Sequence, residues 1–250
     1  MGIRCFWKSI WFFEKHYNEI SVVGCRIKKF EARDDYHPLD YKFDKNKVVD
    51  IDKDINAVQL SMATAFFKSA AIRNKEFDKD LKYGEDVKLV TEIILEQKKY
   101  GIMKDVIYYY RRRADESSAI QTRHAKKETY LDTINGYYKW LIDYSKEKFG
   151  KVIRYIQCIL MYDLSFRLKK RVPVDLLGKE ISEKYIEGIK YILKHIDDDI
   201  ILNKDDVYSG YKIQPLSLKY DKDMTKELDY NDGKLLYNGK VISNITKTEQ

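Results

Sequence analysis

Tyr83-Gly84-Glu85-Asp86, the helix-patterned run that follows it to about Gln97, and Tyr108-Tyr109-Tyr110-Arg111-Arg112-Arg113 decide how this chain is read. From Glu85 the apolar positions Val87, Val90 and Ile94, with Leu89 and Ile93 beside them, recur at helical spacing. Gly101 is expected to stop that helix; Ile102-Met103 then begins one strand and residues 107–111 form another. Working outward, residues 7–18 read as a helix and 20–30 as a strand, β-branched at first and alternating at its end. Residues 34–47 read as a polar loop, 48–51 as a short edge strand, and 60–67 as a buried strand entering a short helix at 68–72. Strands and helices in this order predict an α/β domain with helices packed on a sheet.

After Ser118 the pattern changes, and residues 124–147, 151–170 and 179–196 read as three helices, broken near Gly150 and Pro173. Ile181, Tyr185, Ile189, Ile192 and Ile196 mark one face of the last. The stretch from Asn203 is polar, contains Pro215, and holds a hairpin-like turn at Tyr230-Asn231-Asp232-Gly233-Lys234. The expected organisation is a domain over 1–120, an α-helical appendage or linker over 121–202, and a polar tail over 203–250 that reads as the start of a truncated module.

Composition sets bounds. A chain of 250 residues with 44% apolar and 14% aromatic content can bury a sizeable core and is not of the disordered class. A net charge of +7, with acids and bases well mixed, favours anionic partners without choosing among them. Aromatic and basic residues are not interleaved as in RNA-binding modules, so no nucleic acid is expected. Cys5, Cys25 and Cys158 lie far apart, with neither zinc spacing nor a disulfide framework, and this points to a reducing cytoplasm. The aromatic segment with Phe6, Trp7, Trp11, Phe12 and Phe13 is too short and charged to span a membrane. It reads as the apolar face of a first helix, with peripheral contact to a membrane surface as the other reading.

Glu85 and Asp86 stand in a first helical turn, where unsatisfied N–H groups and the macrodipole favour an anion by roughly 0.3–1 kcal/mol. One of the pair can face a cleft and accept a proton; equally, acids in this position simply cap helices. Arg111 and Arg113 alternate to one face of their strand and Arg112 to the other. Two guanidiniums on one face can grip a diphosphate, while many arginine runs are only solvated. His16, His37 and His195 show no ligand spacing.

Together, Phe77-Asp78, Tyr83-Gly84-Glu85-Asp86, the helix, and Tyr108-Tyr109-Tyr110-Arg111-Arg112-Arg113 with Ser117-Ser118 resemble the acceptor-side half of family-2 glycosyltransferases of GT-A fold, over roughly residues 8–120. The resemblance implies the C-terminal half of a GT-A type mixed sheet with flanking helices, and inverting sugar transfer from a nucleotide-sugar to a hydroxyl acceptor. Asp86 would be the general base, Glu85 a neighbour that orients the loop or acceptor, and Arg111, Arg113 and Tyr110 the diphosphate-side contacts. Phe30-Glu31-Ala32-Arg33, His37-Pro38-Leu39, Tyr155-Ile156-Gln157 and Met161-Tyr162-Asp163-Leu164 are similar to segments of the subgroup fused to CDP-glycerol glycerophosphotransferase-like modules, which points to bacterial cell-surface polysaccharide or teichoic-acid-like polymer synthesis at the inner face of the plasma membrane.

Two departures from the family pattern stand out. The Pro-x-Tyr-Asn strand and the Asp-x-Asp motif, which holds Mg²⁺ or Mn²⁺ on the diphosphate, are not found before Ile20. Asp50-Ile51-Asp52 falls downstream of the family position, so no metal ligand is assigned. Arg113 occupies the place where many relatives carry a metal-associated His; His124 further on is the other candidate, but it reads first as a surface residue at a helix start. The expectation is an acceptor half without its nucleotide-binding half, which an upstream domain of another chain could supply. The alternative is a non-catalytic module that binds a partner protein or an anionic polymer.

Overall fold

The computed structural model describes residues 3–115, 126–203 and 209–244, so Ser117, Ser118 and His124 lie outside the described residues. The chain divides into two compact units, Met1–Tyr137 and Tyr138–Gln250.

Unit 1 is a mixed α/β layer. Helix α1 (Ile3–Lys15) leads into β1 (Val22–Glu31), followed by a 3-10 turn (Pro38–Lys42) and β2 (Lys47–Asp50). A second 3-10 turn (Met62–Thr64), β3 (Ala65–Phe67), α2 (Ser69–Ile72), α3 (Glu85–Gln97) and β4 (Lys99–Arg112) complete the sheet layer, and α4 (Glu128–Asp132) follows. The four-stranded sheet runs β2-β4-β1-β3. Its central pair, β1 and β4, is parallel, and the outer strands are antiparallel to their neighbours.

Helix α3 has the bounds its periodicity predicts, because Leu89, Val90, Ile93 and Ile94 are all buried on one face. Its end was misread. Lys98, at φ 55, makes the left-handed turn that closes the helix, and Gly101 lies inside β4. Gly101 answers a close approach instead: a Cβ there would sit 2.5 Å from the Phe12 ring, where α1 packs on the sheet. The two strands expected at 102–103 and 107–111 are one strand. Pairing jumps from Cys25↔Met103 to Arg26↔Ile107, so residues 104–106 form a bulge that interrupts the alternation without ending the strand.

The core beneath α1 gathers Phe12, Ile20, Val23, Cys25, Met103 and Val106. Each such side chain contributes roughly 1.5–3 kcal/mol on burial. Burial is graded along β1: Val22 to Cys25 are buried, and its last residues are exposed. The segment expected to be a polar loop over 34–47 is instead pinned. Arg26 holds Asp40 through two hydrogen bonds of 2.9 and 2.7 Å, and His37 Nδ1 caps the 3-10 turn by accepting the Leu39 N–H at 3.2 Å.

Unit 2 is helical, with a small sheet. Its helices are α5 (Lys139–Phe149), α6 (Arg154–Leu168), α7 (Val174–Leu177), α8 (Lys179–Leu193), α9 (Asp198–Leu202) and α10 (Ser209–Tyr220). Nearly the whole circumference of α6 is buried, from Tyr155 to Ser165, so it is the central element. Within the stretch expected to be a polar tail, the described residues form elements: α10 runs through Pro215, and β5 (Leu228–Asn231), β6 (Lys234–Tyr237) and β7 (Lys240–Asn244) form an antiparallel sheet. Positive φ at Asp232 and Gly233, and again at Asn238 and Gly239, is the geometry of two-residue type I′ hairpins. Only the first of these was anticipated.

Candidate functional site

Gly84 sets where α3 begins. Its φ of 91 is open to glycine at little cost, and a Cβ would sit 2.6 Å from Cγ of the buried Tyr137 ring. Tyr83 meets the same ring edge-on at 6.1 Å between centroids. The loop before it is tied to the helix by Lys88 Nζ on Asp78 Oδ2 at 2.7 Å, which holds the Asp78 carboxyl below its usual range.

Glu85 and Asp86 follow, both half-buried, in the first turn of α3. Burial pushes the Asp86 carboxyl up to about 6, and the neighbouring Glu85 carboxylate adds to the effect. Opposing these are the backbone N–H of Val87, at 2.9 Å from Asp86 Oδ1, and that of Met62. Asp86 is therefore oriented by backbone donors from α3 and from the 3-10 turn before β3, with a carboxylate rather than a cation as its leading charged neighbour. Such a group is ionised at neutral pH yet basic enough to take a proton.

The same 3-10 turn borders a cavity of about 50 Å³ lined by His37, Lys42, Gln59, Ser61 and Thr64, among others. Lys42 is buried, and its ammonium donates to Val58 O at 2.6 Å, Gln59 Oε1 at 3.0 Å and Tyr100 Oη at 3.5 Å. Burial without a hydrogen-bonded carboxylate pushes it down to about 7. His37 is pushed down to about 4, first by burial and then by Lys29 and Lys42, so it is neutral. The Cys25 thiol, donating to Thr64 O at 3.2 Å, is pushed up to about 12 by burial. Three acceptors satisfy the three ammonium donors of Lys42, which makes it a brace between the 3-10 turn, residues 58–59 and β4. Of these residues only Cys25 and His37 stood out in the sequence. Lys42 and Gln59 come from separate segments, and no spacing signal could have joined them.

Arg111 lies at the far end of β4, and its Nε binds Glu31 Oε2 at 2.5 Å. Glu31 also accepts the Ala114 N–H at 3.1 Å, and its carboxyl is held below the usual range, chiefly by Arg111. Arg111 and Arg113 are exposed and Arg112 is half-buried, in keeping with alternation, while Tyr110 is half-buried beside them. Arg111 pairs with Phe30, five residues along β1 from Cys25 and so about 17 Å further up the sheet. The charges that act on Arg111 are Glu31 and Asp115, and the one that acts on Asp86 is Glu85, so the structure does not bring these two predicted site residues together.

Asp50 and Asp52 do not converge on a common point. Asp50 accepts the Asp52 N–H at 3.0 Å and faces Lys53, whereas Asp52 binds Lys98 at 3.0 Å. Among the described residues no group of three or more His, Cys, Asp or Glu side chains could hold a metal ion. No described helix is long and apolar enough to cross a membrane.

No family model matches the chain. It is 32% identical over 240 residues to the minor teichoic acid biosynthesis protein GgaB of Bacillus subtilis strain 168, a match covering 94% of this chain and 27% of GgaB. The minor teichoic acid biosynthesis protein GgaA of the same organism is 25% identical over 174 residues, covering 68% of this chain and 39% of GgaA. The chain therefore spans about a quarter of the length of one relative and about two fifths of the other. Among solved structures, S. aureus TarS 1-349 in complex with UDP matches with a TM-score of 0.47 and 14% identity, covering 96% of this chain and 70% of that one.

Proposed function

We propose that this chain is the acceptor-side part of an inverting glycosyltransferase that passes a sugar from a nucleotide-sugar to a hydroxyl of a teichoic-acid-like polymer. The observation that carries the reading is the setting of Asp86: a carboxyl raised to about 6, oriented by the Val87 and Met62 N–H groups. The relationship to GgaB supports the polymer class. In this reading an Asp86 oxygen takes the proton of the acceptor hydroxyl as the hydroxyl oxygen attacks the anomeric carbon. The bond from that carbon to the diphosphate breaks, and the nucleoside diphosphate leaves with the electron pair. Burial keeps Asp86 basic, and charge repulsion from Glu85 adds to it. The exposed Arg111–Glu31 pair can exchange its carboxylate for a phosphate oxygen, because exposed ion pairs are weakly held. Arg113 and Tyr110 would line the same end of β4. The Mg²⁺ or Mn²⁺ expected for the full family domain would draw its ligands from outside the described residues.

The test compares Asp86→Asn with the parent chain for UDP release from a UDP-sugar in the presence of a glycerol-phosphate oligomer. Loss of a general base lowers the rate by roughly 10²–10⁴-fold. The parent rate should also rise as pH passes through about 6. An Asp86→Asn chain that keeps its rate removes Asp86 from the mechanism. A parent chain that neither releases UDP nor binds the UDP-sugar, even when mixed with an upstream nucleotide-binding part, favours the second reading, a non-catalytic module that binds a partner protein or anionic polymer. That reading draws on the separation of Arg111 from Asp86.

A further inference from the structure

Helix α1 presents two different faces. Phe12 and Ser9 are buried, 4% and 1% exposed, and the Phe12 ring rests against the sheet at Gly101. On the outside Phe6, Trp7 and Trp11 are 53%, 62% and 62% exposed. Trp7 and Trp11 are four residues apart and therefore lie one above the other. Leaving two indoles in water forgoes some of the largest apolar burial available to a side chain.

Charge borders this aromatic face. Lys8 and Lys15 are exposed along one side of it, and the Lys15 ammonium lies 5.7 Å from the Trp11 ring. Just past the helix, Tyr17 is 62% exposed, and Lys68 sits 4.0 Å over its ring while donating to its carbonyl. Against these cations stand Glu14 on the helix and Glu19 beyond it, the latter engaged by His16 at 3.3 Å. Indoles with lysines around them suit the boundary between lipid headgroups and acyl chains, where Trp is amphipathic in the right sense and Lys meets anionic headgroups. A protein partner would need an apolar socket ringed by carboxylates, and nothing about the face selects one.

We propose that the outer face of α1 docks this chain on an anionic lipid bilayer, with Trp7 and Trp11 inserted at headgroup depth and Lys8, Lys15 and Lys68 against the charged surface. The helix has 13 residues and lies on the bilayer rather than across it. The inference is independent of the role of Asp86.

The experiment uses the full chain carrying Trp140→Phe, so that fluorescence reports Trp7 and Trp11 alone. It is mixed with vesicles of phosphatidylcholine, with and without phosphatidylglycerol. Co-sedimentation with the anionic vesicles and a blue shift of the indole emission are expected, both weakened in 0.5 M salt on the order expected for screened charges. Trp7→Ser/Trp11→Ser should lower vesicle affinity by about tenfold or more, and Lys8→Glu/Lys15→Glu should do so only for anionic vesicles. Both pairs are at exposed positions, so circular dichroism should be unchanged. Equal binding to both vesicle types, binding without a blue shift, or no binding overturns the proposal. So does a concentration-dependent blue shift without lipid, which would assign the face to a second copy of the chain.

Discussion

Asp86 in unit 1 and Asp163 in unit 2 are both withdrawn from solvent, and they are treated in opposite ways. Asp163 is 7% exposed and is answered by the equally buried Arg167, whose Nε lies 3.4 Å from its Oδ2. The Tyr138 hydroxyl donates to the same oxygen and accepts from Arg167 Nε at 2.9 Å. Asp86 has backbone N–H groups and a second carboxylate. A buried carboxylate closed into an ion pair with shared hydrogen bonds can do little except hold helices together. One kept basic by burial and by a like charge has proton affinity to spend on something else. The contrast separates a structural acid from a candidate catalytic one using only their surroundings.

The largest effect should come from breaking the closed site. Asp163→Ala leaves the Arg167 guanidinium buried without its carboxylate and should cost about 3–5 kcal/mol, read by urea unfolding followed by circular dichroism. A loss under about 1 kcal/mol would mean that the Asp163 cluster is not the closed structural site described here. At Asp86 the sign reverses. Its folded carboxyl, at about 6, lies above the unfolded value, so the protonated form is favoured by folding. That stabilisation is fully present below about pH 4 and is lost as pH rises through about 6. Asp86→Asn should therefore gain about 1–2 kcal/mol over the parent at pH 7.5, after discounting a half-buried group for solvent screening, and about nothing at pH 4. Unfolding curves at the two pH values decide this, and a destabilised variant at pH 7.5 would place Asp86 with Asp163 among the structural acids. The smallest effect is expected at Arg111→Ala: no measurable change in the unfolding midpoint, because its partner Glu31 is at the surface. Binding of a UDP-sugar by that variant should fall if Arg111 contacts the diphosphate, and binding equal to the parent's would remove it from that role.

What could be seen in the sequence followed from periodicity. α3 was legible because Leu89, Val90, Ile93 and Ile94 repeat on one buried face, and β1 because Val22 and Val23 open a β-branched run. β4 was read as two strands because Lys104 and Asp105 break its pattern, and only pairing with β1 shows the chain continuing through a bulge. Gly101 was read as local punctuation when its reason is Phe12, some ninety residues away. α10 was missed because Pro215 suppresses a helical reading, although the helix runs through it. At the site, Gly84-Glu85-Asp86 was visible as a helix start, but the raised proton affinity of Asp86 depends on burial and on the Met62 N–H. The pairing of Arg111 with Glu31 depends on strand register, and the buried setting of Lys42 on three segments meeting. None of these has a one-dimensional signature.

The missing side chain at Gly101 also fixes a distance. Because the Phe12 ring rests where a methyl group would otherwise be, the gap between α1 and the sheet is set by an atom that is not there. Enlarging position 101 would have to be met by shrinking position 12, with Ile20 and Val23 also giving way. With Phe12 seated in this notch, the face of α1 that meets β4 is chosen from inside the molecule, and with it the outward direction of Trp7 and Trp11.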